Sequence, residues 1–170
     1  NGIAYYNGKS FHNYYVEDGL LSNMIWHLHY SKKYKTLFVG HDFGMQTLRN
    51  GKIETPAIRG LTNSNIISIQ PFRDSLLSIG TGGAGVLLYH PGSGNYRYVT
   101  SEDGLASDFI YFAAPDENNL WIGSEKGINR VLLNDALELK ENLYYGYDNG
   151  LTGIETNANA FLFTPTSRYF

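Results

Sequence analysis

Glu102-Asp-Gly-Leu-Ala-Ser-Asp-Phe-Ile110, followed by Pro115-Asp-Glu-Asn-Asn-Leu-Trp-Ile-Gly123 and Gly127, is the stretch that decides the fold. Its Asp-Gly pair reads as a tight turn, because glycine tolerates positive φ and aspartate hydrogen-bonds locally. Ile110 to Ala114 is then a short apolar run, residues 115–119 a turn cluster, and Leu120 to Ile122 a second apolar run. A further turn at 123–127 leads to a third strand from Ile128 to Leu133, and Leu143 to Tyr147 gives a fourth. One unit is thus a four-stranded meander.

The marks recur. Gly19-Leu20, Gly60-Leu61, Gly104-Leu105 and a looser Gly150-Leu151 lie 41, 44 and 46 residues apart, which fits one small antiparallel sheet per unit. About twenty residues after the first three come Leu37-Phe38-Val39-Gly40, Leu77-Ser78-Ile79-Gly80 and Leu120-Trp121-Ile122-Gly123, and then Gly44, Gly85 or Gly127. The expected architecture is all-β: a β-propeller segment of four-stranded antiparallel blades. Gly2 to Gly8 matches Gly44 to Gly51, so the chain is expected to begin at a third strand. Arg168-Tyr-Phe170 matches Leu120-Trp-Ile122, so it is expected to stop inside a second strand. The divisions are a half blade at 1–18, blades at about 19–59, 60–103 and 104–149, and a half blade at 150–170. An open arc would expose apolar faces and strand edges. Either the halves join into a four-bladed ring or, the favoured reading, the segment belongs to a larger ring of about seven blades.

Composition agrees. Of 170 residues, 15% are aromatic, 17% charged and 19 are glycine, as in a turn-rich β protein. A net charge of -3 with scattered lysines and arginines speaks against a nucleic-acid partner. The absence of cysteine removes disulfides and thiolate metal sites and is compatible with either redox compartment. The sequence shows neither an apolar run of the ~20 residues needed to span a bilayer nor a charged-then-apolar leader, so this segment is not expected to insert into a membrane.

Glu102 to Gly123 with Gly127 resembles the two-component regulator propeller repeat, an acidic-Gly-Leu-x-Ser-Asn-x-Ile stretch followed by Asp-x-x-Gly-x-Leu-Trp-Ile-Gly-Thr, and Val16 to Ile25 matches its first half as closely. Tyr145 to Ala160 is similar to the version found late in such arrays, near a Tyr-rich β-sandwich. The middle unit departs, with Arg59 for the acidic residue, Leu77-Ser78-Ile79 for Leu-Trp-Ile, and a longer Gly-rich turn. The resemblance implies the extracytoplasmic, periplasmic sensor half of a membrane histidine kinase, including hybrid kinases that respond to oligosaccharides. It implies adjoining blades, a C-terminal β-sandwich and a homodimer as partners, no cofactor, and no enzymatic activity in this segment, any kinase lying elsewhere in the parent chain.

In such a fold the loops from outer to next inner strand, and from second to third strand, gather on one face around the channel mouth, the default binding surface. That face is expected to carry Asn23, His41, Asp42, Phe43, Asn65, Asp108, Glu125 and Lys126. Polar groups beside an aromatic suit a sugar, whose hydroxyls need partners and whose ring face packs on a flat surface. Glu155, Asn157 and Asn159 alternate, so an inner strand over 154–160 would turn all three toward the channel. Each of these residues also has a purely structural reading, as a solvated turn residue or a group bonded to neighbouring blades.

Three further patterns read as structure. Gly80-Thr-Gly-Gly-Ala-Gly85 fits the dinucleotide fingerprint by letter but lacks the following helix, so it is a blade turn. The acidic pairs Glu17-Asp18 and Glu102-Asp103 imitate a glycosidase couple, whose retaining form needs carboxyls ~5 Å apart, yet their repetition at one register points to turns. His27 and His29 share a strand face, and with His41 fall short of a metal-binding set. Phe38 and Trp121, at equivalent second-strand positions, are expected between blades. Two alternatives to the sensor reading stay open: a propeller enzyme acting on polysaccharide, and a protein-interaction scaffold.

Overall fold

The computed structural model describes residues 2–170. Alternation of apolar runs with turn residues produces sixteen strands: β1 (Ile3–Tyr6), β2 (Phe11–Tyr14), β3 (Ile25–Ser31), β4 (Thr36–His41), β5 (Gly44–Arg49), β6 (Lys52–Glu54), β7 (Ile66–Phe72), β8 (Leu76–Thr81), β9 (Val86–Tyr89), β10 (Tyr96–Val99), β11 (Ile110–Asp116), β12 (Asn119–Ser124), β13 (Gly127–Leu133), β14 (Leu139–Tyr145), β15 (Leu162–Phe163) and β16 (Arg168–Tyr169). They form three four-stranded antiparallel meanders, β3–β6, β7–β10 and β11–β14, flanked by the two-stranded sheets β1–β2 and β15–β16. The inner strands β3, β7 and β11 lie against one another at the hub, and β6, β10 and β14 form the rim. These are propeller blades.

Two expectations need adjustment. The fourth strand of the last full sheet is longer than read from sequence and starts earlier, at Leu139. No strand forms over 154–160: the inner strand of that sheet is Leu162–Phe163, paired with β16. Within this segment Thr156 and Asn159 donate to carbonyls of the neighbouring blades, and Ala160 N–H donates locally to Asn157.

The acidic-Gly-Leu motif has a local explanation. Short 3₁₀ turns at Val16–Asp18, Ser101–Asp103 and Tyr147–Asn149 each end on a glycine with positive φ, Gly19, Gly104 and Gly150. The last side chain of each turn folds back to accept a backbone N–H: Asp18 from Tyr15 at 2.9 Å, Asp103 from Thr100 at 3.0 Å, Asn149 from Gly146 at 3.1 Å. A second side chain, four residues after the glycine, accepts from the first turn residue. Asn23 takes Val16 N–H at 3.0 Å, and Asp108 takes Ser101 N–H at 2.7 Å and its hydroxyl at 2.8 Å. The aspartate of each acidic pair is therefore a turn-closing group. Arg59 has no acceptor to offer, and no 3₁₀ turn precedes Gly60.

Apolar side chains fill the space between successive sheets. Phe38 and Met45 of β3–β6 meet Ile66, Ile69 and Ile79 of the next sheet, and Val86, Leu88 and Val99 of that sheet meet Ile110, Leu120 and Ile122. Phe38 is core as expected. Trp121 is half-buried and stacks between Tyr145 and Phe170, at the sheet that has only two strands to cover it.

At the hub the sheets touch through glycine. A Cβ on Gly40 would stand 2.6 Å from Ile66 Cγ2 and 2.8 Å from its carbonyl oxygen; on Gly80, 2.6 Å from Ser68 Oγ; on Gly123, 2.6 Å from Thr156 Oγ1. A side chain at these points would meet the next inner strand at Gly40, through Ile66, and the sheet's own inner strand at Gly80 and Gly123, through Ser68 and Phe112.

Candidate functional site

A β-bulge interrupts the inner strand of each four-stranded sheet at the same place: between Ile25 and His27, Ile66 and Ser68, and Ile110 and Phe112. The extra residue of a bulge is freed from the ladder and its side chain is re-aimed. Those residues are Trp26, Ile67 and Tyr111, each directly after the motif isoleucine. They line one hub cavity of about 140 Å³ together with Asn65, Phe109 and Ala158. Phe109 meets Tyr111 edge to face, ring centroids 5.4 Å apart.

Both polar-tipped rings are pinned by a carboxylate. Trp26 Nε1–H donates to Asp42 Oδ1 at 2.5 Å, and the Tyr111 hydroxyl donates to Glu155. The bond to Glu155, with Glu125 also nearby, pushes the Tyr111 phenol up to about 12, so it stays a donor at neutral pH. Trp26 remains half exposed. The arrangement can offer flat apolar faces flanked by acceptor oxygens, in fixed orientation.

The segment carrying Glu155 is tied across two blades. Asn159 N–H donates to the Tyr111 carbonyl at 3.2 Å, its side-chain amide donates to the Ile67 carbonyl at 2.9 Å, and Asn159 sits at φ 55. Thr156 N–H donates to the Ser124 carbonyl at 3.2 Å. Asn157 is exposed.

The residues singled out from sequence thus separate. Asp42, Asn65, Glu155 and Asn159 come together around the bulge residues. Asn23 and Asp108 spend their side-chain oxygens on the 3₁₀ turns. His41 is fully buried: its Nδ1 accepts from Phe43 N–H at 3.1 Å, its Nε2 has no hydrogen-bond partner, and burial pushes its pKa down against the neighbouring Asp42 and Gln46. It supports the turn that carries Asp42 and the half-exposed Phe43, as Thr81 and Ser124 support theirs through hydroxyls. Glu125 accepts from Ser107 Oγ at 2.9 Å and lies 3.9 Å from Lys126 Nζ. Burial also lowers the pKa of His27 and His29, and among the described residues no three metal-ligating side chains converge. Trp26, Ile67, Phe109 and Tyr111 escaped the sequence reading. Their signal is positional, the residue after or just before the motif isoleucine.

No protein-family model matches the chain, and neither does any curated protein sequence. Solved structures do. The extracellular domain of BT4673 from B. thetaiotaomicron, described as a one-component system, superposes with a TM-score of 0.68 at 21% identity over 93% of this chain. That of BT3049 from the same organism, described as a hybrid two-component system, gives 0.59 at 22% identity over 80%. The chain spans about a fifth of the length of these two, 21% and 20%. A computationally designed protein, Ika8, gives 0.58 at 19% identity over 86% of this chain and 42% of its own. The shared property is the fold. Among the described residues no helix is long and apolar enough to cross a membrane.

Proposed function

We propose that this chain is a non-enzymatic, ligand-sensing propeller segment of a periplasmic receptor of the two-component type, and that the hub face around Trp26 and Tyr111 recognises an oligosaccharide. The observation that carries the reading is the repeated device at the bulges: an aromatic ring freed from the ladder and fixed by a carboxylate, Trp26 by Asp42 and Tyr111 by Glu155. Rings held in place stack on the apolar face of a pyranose with little ordering cost, and the carboxylate oxygens accept from its hydroxyls. The fold shared with extracellular domains of bacterial signalling systems supports the sensor role. Fold alone does not fix function, as the designed protein with the same architecture illustrates.

Signalling in this reading is a population shift: ligand bound at the hub stabilises one arrangement of the blades, and the difference passes to the adjoining sandwich. The chain has two tryptophans, so Trp121→Phe leaves Trp26 as a reporter at the hub. Titration with a panel of plant and host oligosaccharides is expected to quench its fluorescence and raise the melting temperature. Tyr111→Ala is expected to weaken binding about tenfold, roughly 1.4 kcal/mol. A panel that moves neither signal sinks the carbohydrate reading and favours the protein-interaction scaffold. Turnover abolished by Glu155→Gln would instead favour a propeller enzyme.

A further inference from the structure

The two junctions between complete four-stranded sheets are not filled alike. Across β4, β5 and β6 the face turned to the next sheet runs Phe38, Thr47, Glu54, and across β8, β9 and β10 the matching row runs Ser78, Leu88, Arg97. Leu88 is fully buried in the core it shares with β11–β14, and Leu76 packs against the same core. Their counterparts in β3–β6 are Thr47 and Thr36. Threonines stand where the neighbouring junction has leucines, and a cleft of about 540 Å³ opens there between β3–β6 and β7–β10. Both of its walls are complete sheets.

Its polar groups are of both kinds. Thr36 Oγ1 has given its hydrogen to the Tyr34 carbonyl at 2.9 Å and Thr47 Oγ1 to the Glu54 carbonyl at 3.3 Å, so each is left as an acceptor. Thr55 accepts from Gln46 Nε2 at 3.2 Å and keeps its own hydrogen to donate. Tyr89, which lines the cleft, is 7% exposed, and its hydroxyl has no hydrogen-bond partner among the described residues. Burial, with Tyr34 close by, raises its pKa, so it too is a donor at neutral pH. Arg49 supplies further donors and Glu54 further acceptors, and Glu54 is also paired with Lys52 at 2.5 Å. The flat walls are Tyr34, Pro56 and Pro91. Tyr34 is fixed by its own hydroxyl, which donates to the Ser75 carbonyl of the facing sheet at 3.0 Å.

An oxyanion takes donors alone, and a cation takes acceptors alone. Donors and acceptors interleaved between flat walls match hydroxyl groups, each of which gives one hydrogen and accepts at its oxygen, carried on a ring with an apolar C–H face. We infer that this cleft is a second ligand site, separate from the hub, for a neutral saccharide: a pyranose unit seated between the sheets, its ring against Tyr34 and its hydroxyls shared among Thr36, Thr47, Thr55 and Tyr89. The volume lies within the range of small-molecule pockets. The site stands on its own lining residues and not on the hub reading. Because both walls contribute, a bound unit ties β3–β6 to β7–β10 outside their shared core.

The test is a titration of the chain, labelled at its threonine methyl groups, with D-glucose, D-xylose and cellobiose, followed by NMR. The signals of Thr36, Thr47 and Thr55 are expected to shift saturably with at least one of these sugars. Thr47→Leu, which writes in the side chain found at Leu88, is expected to remove the saturable shifts at Thr36 and Thr55 while the melting temperature holds or rises. Tyr89→Phe removes a hydroxyl that bonds to nothing in the free protein, so the fold is retained and binding is expected to weaken about fivefold. Tyr111→Ala, at the hub, is expected to leave the threonine shifts unchanged, which separates a failure of hub binding from a failure of cleft binding. No saturable shift with any of these sugars, shifts that survive Thr47→Leu, or shifts that vanish with Tyr111→Ala would overturn the inference.

Discussion

The sheets β7–β10 and β11–β14 are neighbours with the same strand order and nearly the same depth of burial, yet they fasten their loops differently. In β11–β14 side chains do it. Asp103 and Asp108 close the 3₁₀ turn, and Asn129, buried on β13, accepts from Ala106 N–H at 3.0 Å while passing its amide to Asn142, which donates to the Gly104 carbonyl at 2.7 Å. Gln46 does the work of both asparagines in β3–β6, accepting from Leu21 and donating to the Gly19 carbonyl. In β7–β10 the equivalent positions are Arg59 and Leu87, and neither can serve. There the glycine-rich turn takes over with backbone: Gly83 and Gly85 N–H both donate to the Asp108 carbonyl of the next blade. The repeat signature is therefore a fastening device, and a blade that loses it is held by its neighbour.

The largest effect is expected at the hub, where the compared sheets and β3–β6 all carry glycine at one register, Gly80, Gly123 and Gly40. Gly40→Ala drives a methyl into Ile66, carbonyl included, and is expected to cost about 3 kcal/mol, at the upper end for overpacking. Gly80→Ala meets chiefly the Ser68 hydroxyl, which can turn away, so its loss should be smaller; urea midpoints at unchanged m-value measure both.

The fastening itself comes next. Asp103→Ala leaves the Thr100 N–H without its acceptor and is expected to cost about 1 kcal/mol, as for loss of a helix cap. Arg59→Asp, which writes the consensus residue into the sheet that lacks the turn, should change stability by less than about 0.5 kcal/mol. A gain approaching the Asp103 loss would mean that the middle blade was one side chain short of the common design.

The smallest effect concerns pH. His41, His27 and His29 have folded pKa values below their unfolded ones. Their contribution is complete above about pH 6.5, the unfolded value, and is lost as pH falls toward the folded values, because the unfolded chain then binds more protons. The melting temperature should drop between pH 7 and pH 5. His41→Ser, supplying the hydroxyl found at Ser124, should flatten part of that slope.

The four-stranded antiparallel sheets were legible because they rest on glycines and apolar runs whose spacing is local. The roles of Asn23 and Asp108 were half legible. Both stand four residues after their glycine, a regularity that marks structure, yet each looks like a binding group when read singly. His41 misled for a related reason: its place in register with Thr81 and Ser124 marks a turn cap, while its chemistry suggests a ligand. The bulges were not legible. A one-residue slip in an inner strand depends on how it meets the next strand, and the residue types in Ile25-Trp26, Ile66-Ile67 and Ile110-Tyr111 do not announce it; only their shared place after the motif isoleucine does. The irregular path of 154–160 was hidden likewise, since its bonds run to Ser124, Tyr111 and Ile67 of other blades.

The contacts at Gly40, Gly80 and Gly123 leave no room for even one added methyl beside the inner strands. Close-packed protein transmits displacement rather than absorbing it. A small push on one inner strand must therefore travel around the axle as a rotation of whole sheets, with the rim sweeping further than the hub.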